Sequence, residues 1–163
     1  MPHIPAQALY NACLTGDTAA VSRLLPESGT RLNLSGLSFQ CPDDIKSTPL
    51  IAAATLGHME IVRMILERAP KTAVDHTDAD GDTALLAAAQ YHNFDIVRLL
   101  ADRGANPSFT NKSRQTPLQI AVLQVHPDGP PRDPDPDAAR QLATVRTLLQ
   151  LGAGTSPPRP SLF

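Results

Sequence analysis

"STPLIAAATLGHMEIVRMILERA", residues 47–69, runs from a threonine–proline pair through alanines to a glycine–histidine pair and a second apolar run. With helical spacing it reads as two short helices. Thr48 stands where a hydroxyl can accept from the first free backbone N–H groups of a helix. Pro49 follows at the first helical position, where a missing N–H costs nothing. Ala52, Ala53 and Ala54 let a neighbouring helix come close. Gly57 can take the left-handed conformation that ends a helix. Ile61, Val62, Ile65 and Leu66 then form one stripe, and Glu60, Arg63 and Glu67 the other. Neither helix can bury its apolar stripe alone, so the pair needs neighbours.

The chain supplies them by repeating itself. "DTALLAAAQYHN" (82–93) and "QTPLQIAVLQ" (115–124) match the first helix, and "QALYNACLTGD" (7–17) is a degenerate copy. "VSRLL" (21–25), "VRLLA" (97–101) and "VRTLL" (145–149) match the "VRMIL" (62–66) of the second helix. Thr48, Thr83 and Thr116 recur every 33 to 35 residues, a period that indicates stacked repeats. The expected fold class is all-α: a solenoid of about four helix–turn–helix repeats with β-turn or hairpin loops between them.

These segments resemble the ankyrin repeat family. Its pattern is a β-turn, a T-P-L-H-x-A helix, a G-H break, a V-x-x-L-L helix and a G-A-x-x-N turn. Residues 47–69 and "DGDTALLAAAQYHNFDIVRLLADRGANPSF" (80–109) carry nearly all of it, and the resemblance covers about residues 6 to 155. It implies one domain over residues 1–155, with repeats near 6–40, 44–78, 79–111 and 112–155, and a tail at 156–163.

Three departures stand out. The histidine of T-P-L-H is replaced by Ile51, Leu86 and Gln119. His92 takes the place of the glycine in the third break, while His58 keeps its place and reads as structural. Two connections are long. "ESGTRLNLSGLSFQCPDDIKS" (27–47) contains an alternating apolar–polar stretch that suits an extended finger. "VHPDGPPRDPDPDAA" (125–139) is a proline-rich insertion between the two helices of the last repeat, with five prolines set against helix and sheet. P-x-x-P spacings there and at 157–160 admit polyproline docking, but a passive loop and tail is the simpler reading. The last outer helix is expected over 139–154. Leu142, Val145, Leu148 and Leu149 would pack, and Arg140, Gln141, Thr144 and Gln150 would face water.

The acid-rich "DHTDADGDT" (75–83) raises the question of a metal. A calcium loop started at His76 gains Asp78, Asp80 and Gly81, but its first ligand would be an imidazole and its twelfth residue is Ala87. Carbon cannot close an oxygen cage, so no metal site is read here. The stretch suits a turn with Gly81 at its tip. Tyr91, His92 and Asp95 lie near one another without a nucleophile–base pairing, and no phosphate loop is present, so no enzyme and no cofactor are expected.

Composition agrees. The formal net charge is −2, and no basic stripe offers itself to nucleic acid. No apolar run approaches the roughly 20 residues of a membrane span. No secretory signal is visible, so a cytoplasmic protein is expected, with the nucleus as alternative. Cys13 lies in an apolar helical pattern and reads as a buried thiol. It forms no metal-type spacing with Cys41.

The resemblance implies a protein-binding module of adaptor, scaffold or inhibitor type, acting as a monomer. The family binds through turn tips and the exposed face of its inner helices. Carried over by position, that surface is Asp44, Ile45, Ser47, Thr55, Leu56, Ala79, Asp80, Asp82, Gln90, Tyr91, Lys112, Ser113, Gln115, Leu123 and Gln124. Tyr91 is an amphipathic aromatic suited to anchor an interface, or else it covers the adjacent repeat. Leu56 and Leu123 are taken as equivalent positions. Asp78, Asp80 and Asp82, flanked by Lys112 and Arg114, favour a partner with a basic patch. The alternatives are a scaffold that self-associates through its ends or, less favoured, an enzyme or ligand-binding protein that uses the groove.

Overall fold

A computed structural model describes residues 6–25, 47–68, 74–123 and 136–152. Eight helices lie in these segments: α1 (Ala6–Thr15), α2 (Thr18–Leu24), α3 (Pro49–Thr55), α4 (Met59–Arg68), α5 (Ala84–Gln90), α6 (Phe94–Asp102), α7 (Pro117–Leu123) and α8 (Pro136–Gln150). They pack as four antiparallel-type pairs. The inner helices α1, α3, α5 and α7 touch in sequence order, and so do the outer helices α2, α4, α6 and α8. The 27–46 connection, most of the 125–139 insertion, Cys41 and the tail fall outside the described residues.

Each inner helix is started by its threonine. The Thr48 and Thr83 hydroxyls accept from the backbone N–H of Ile51 (3.2 Å) and Leu86 (3.3 Å). In α7 the bond is reciprocal. The Thr116 hydroxyl accepts from the Gln119 N–H at 3.2 Å, and Gln119 Oε1 accepts from the Thr116 N–H at 2.9 Å. This is a capping box, and it gives the glutamine at the family's histidine position a role.

The inner helices end alike. The N–H of Asp17, His58 and Asn93 donates to the carbonyl of Ala12, Ala53 and Ala88, each at 2.9 to 3.0 Å. That six-to-one bond requires a left-handed residue in between. Gly16 (φ +74°), Gly57 (φ +76°) and His92 (φ +55°) provide it. At Gly16 the space is also needed, because a Cβ there would lie 2.8 Å from the His58 ring. The half-buried His58 ring thus packs against the preceding break.

The core runs the length of the stack. Val21, Ile61, Val62, Ile65, Leu85, Leu86, Ile96, Val97, Leu100 and Leu148 are fully buried, with Ala53, Ala54, Ala88 and Ala89 between the inner helices. Glu60, Arg63 and Glu67 face water. Cys13 is buried too, and desolvation pushes its thiol up to about 12, so it stays protonated and inert at neutral pH.

The last outer helix departs from expectation in two ways. It begins at Pro136, three residues earlier than read, because a proline is tolerated in the first helical turn. Its buried stripe is also rotated. Thr144 is fully buried and Gln141 half-buried, whereas Leu142 and Leu149 are 59% and 55% exposed. The register explains this. Thr144 stands where Ile61 and Ile96 stand in the earlier repeats, and Leu149 stands where Leu66 is buried. No following outer helix lies on α8 among the described residues. The Thr144 hydroxyl donates to the Arg140 carbonyl at 2.9 Å, which removes most of the cost of burying it.

Candidate partner-binding surface

Between repeats the chain makes a tight turn. Thr77 and Thr83 form an isolated antiparallel bridge, and the Asp78 N–H donates to the Asp82 carbonyl at 3.0 Å. The Asp78 carboxylate accepts from the N–H of Asp80 (2.9 Å) and Asp82 (2.8 Å). The turn is thus built around a carboxylate acceptor. Burial raises the Asp78 pKa above the ordinary aspartate value, and the two backbone hydrogen bonds oppose that shift. Among the described residues no three His, Cys, Asp or Glu side chains gather as a metal site, and no helix is long and apolar enough to cross a membrane.

Asn111 takes the place of Asp78 one repeat later. Its N–H donates to the Gln115 carbonyl, and its Oδ1 accepts from the Gln115 N–H at 2.9 Å. The two turns are stitched together. The Lys112 N–H donates to the Asp80 carbonyl at 3.1 Å, and Lys112 Nζ donates to the Ala79 carbonyl. Asn111 Nδ2 donates to Asp82 Oδ1 at 2.8 Å. A Cβ on Gly81 would lie 3.0 Å from the Lys112 backbone nitrogen, so that glycine sets how closely the turns approach.

The inner helices present two rows at their C-terminal ends. Leu14, Thr55, Gln90 and Leu123 form one, and Leu56 and Tyr91 belong to the other. Leu123 is therefore in register with Thr55 and Gln90, and not with Leu56 as expected from sequence; the true counterpart of Leu56 is Tyr91. The 35-residue offset that joins Leu56 to Tyr91 reaches Gln124 in the next repeat, after its 33-residue spacing. Leu56 is exposed, Tyr91 is 55% exposed and Leu123 68% exposed. Thr55 and Gln90 are half-buried, and the Thr55 hydroxyl is turned back to the Ile51 carbonyl at 2.9 Å. Ala79, Asp82 and Gln115 are half-buried, and Asp80, Lys112 and Ser113 are exposed. Ser47 is only 6% exposed, which removes it from any contact surface. Asp44, Ile45 and Gln124 lie outside the described residues.

The rows and the turns meet in a groove of about 130 Å³ lined by Asp82, Gln90, Asn111, Gln115, Ile120 and Leu123. Four of these six were expected from sequence. Asn111 and Ile120 were not, nor was the exposed Leu14. Asn111 stands in a turn, Ile120 in an apolar helix and Leu14 in a degenerate repeat, so nothing in the residue types marked them. His92 is buried while Tyr91 and Asp95 are exposed, so those three side chains do not form one cluster.

Paired helices in two rows, capped by threonines and joined by stitched turns, define a helical-repeat protein whose open face is made of turn tips and inner-helix ends. Comparison places it more closely. The family model for the ankyrin repeat matches residues 46–78, and that for three ankyrin repeats matches residues 70–129. The chain belongs to the ankyrin repeat family, whose members are general protein–protein interaction modules. It is similar to human "Ankyrin repeat and SOCS box protein 10", with 38% identity over an alignment 138 residues long that covers 71% of this chain and 29% of that protein. The chain thus spans under a third of the length of that relative.

Proposed function

We propose that the chain is a non-enzymatic adaptor or inhibitor that binds one protein partner across the inner-helix face. The strip would run from Leu56 through Tyr91 and the groove to Leu123, with Asp80, Lys112 and Ser113 at its tips. The observation that carries this is the exposure of Leu123, which lines a groove ordered by hydrogen bonds, and of Tyr91, which follows the groove residue Gln90 at the end of its inner helix. Tyrosine is enriched among interface anchors, and an exposed leucine near it adds apolar contact area. Acids at the third turn favour a partner with basic character, although Lys112 offsets part of that charge. A Tyr91→Ala, Asp82→Arg double variant should lose capture of the native partner from cell extract while keeping wild-type helicity. Equal capture would reject the surface.

A second reading is self-association through the end of the stack. Leu142 and Leu149 on α8 favour it, because both are more than half exposed on one helix face. Sedimentation across a concentration series separates the two readings. A mass that rises with concentration, and stops rising in Leu142→Lys, Leu149→Lys, would support the scaffold.

A further inference from the structure

The groove at the third and fourth turns has a chemical bias that the rest of the strip lacks. Asp82 is a half-buried carboxylate, and among the described residues it pairs with no cation; Arg63 and Glu60 make the ion pair found there. What holds Asp82 is neutral. Asn111 Nδ2 donates to Asp82 Oδ1 at 2.8 Å and to Gln115 Oε1 at 3.3 Å. Both N–H groups of that amide are thereby spent, and its Oδ1 is occupied by the Gln115 N–H. The asparagine orients two oxygens at the groove and has no donor left for a ligand. The Asn111 bond ends on Oδ1 of Asp82, and Gln90 adds a side-chain amide at the rim. Ile120 and Leu123 supply apolar wall beside this oxygen cluster.

We infer that the groove is a socket for an arginine side chain of the partner, with the guanidinium on Asp82 and Gln115 and the aliphatic stem along Leu123. The fit follows from geometry and charge. A guanidinium is planar, has five donors and no acceptor, and pairs with a carboxylate through two parallel bonds. An ammonium is more strongly hydrated and cannot make the forked contact. Neither neighbouring cation fills the socket in the structure: Lys112 Nζ is on the Ala79 carbonyl, and the exposed Arg114 makes no ion pair with Asp82. The partner is therefore a segment that presents an arginine, and the socket sets its register on the strip. This deepens the proposed function and rests on the inner-helix face being the interface.

The test is a titration of the full chain with N-acetyl-arginine methylamide, followed through the side-chain amide NMR signals of Gln90, Asn111 and Gln115. Saturable shifts in the millimolar range are expected, since a lone side chain makes few contacts. The neutral isostere N-acetyl-citrulline methylamide should leave the signals in place. Asp82→Asn, which keeps the acceptor for Asn111, should weaken arginine binding by roughly tenfold or more. No saturable shift, equal shifts with citrulline, or unchanged affinity in Asp82→Asn would each overturn the socket. Equal binding of N-acetyl-lysine methylamide would overturn the guanidinium assignment. If the socket fails while Tyr91→Ala still abolishes partner capture, the surface reading survives without it. If arginine binds while Tyr91→Ala and Leu123→Ala capture partner normally, the surface reading falls, and the assignment of the socket to that partner falls with it.

Discussion

Arg114 holds a backbone φ of +59° in the place where Gly81 holds +81° one repeat earlier. Both close the turn that leads into an inner helix. The glycine is at ease there, whereas an L-residue with a Cβ is strained by roughly 1–2 kcal/mol. Arg114 is exposed, so little packing opposes its replacement. Arg114→Gly should stabilise the chain by up to about 1 kcal/mol, after the extra unfolded-state entropy of glycine is counted. Urea unfolding would show a higher midpoint at unchanged slope.

Asn93 Nδ2 donates across the stack to the carbonyls of Ala54 (2.8 Å) and Thr55 (3.2 Å). These are end-of-helix carbonyls with no intrahelical donor. Asn93→Ala should cost about 1–3 kcal/mol. Asn93→Asp should cost more, because a carboxylate would face two carbonyl oxygens. The ranking is read from thermal or urea midpoints, and equal losses would show that the contact with the preceding repeat is steric rather than hydrogen-bonded.

Gly16→Ala meets two obstacles, a positive φ and the His58 ring at 2.8 Å. The single variant should lose about 2 kcal/mol or more. Adding His58→Ala removes the clash and leaves the backbone strain. The double variant should therefore be less damaged than the sum of the two single changes, a coupling that a double-mutant cycle measures.

The raised pKa of Asp78 carries a sign. A carboxyl whose pKa is higher folded than unfolded binds protons more readily in the folded state. Its charge thus subtracts from stability above the folded pKa, and that penalty is relieved as pH falls through the folded value toward the unfolded one. Asp78→Asn keeps an Oδ1 for the two N–H groups, and Asn111 uses the same arrangement in the next turn. The variant should match or exceed wild-type stability at neutral pH. Its advantage should shrink on acidification. An advantage that grows on acidification would contradict the burial of this group.

Much of this protein was legible in its residues. Period, caps and breaks assigned the pairs of helices, because a threonine before a proline and a glycine after alanines act over four or five neighbouring residues. Local chemistry of that kind does not depend on what packs outside. Gln119 shows the same strength from the other side: the capping box needed only Thr116 and three residues of spacing.

The sequence by itself determined the repeat and its two-helix unit, since both follow from side chains that act on their own backbone or on one face of their own helix. Tertiary structure alone decided which way the ends of the stack face. Thr144 is buried and Leu142 and Leu149 are open because burial depends on whether another repeat lies alongside, and no residue on α8 encodes that. It also decided the groove. Asp82, Asn111 and Gln115 are 29 and 4 residues apart, and they became one network only when two turns closed on each other through Gly81 and Lys112.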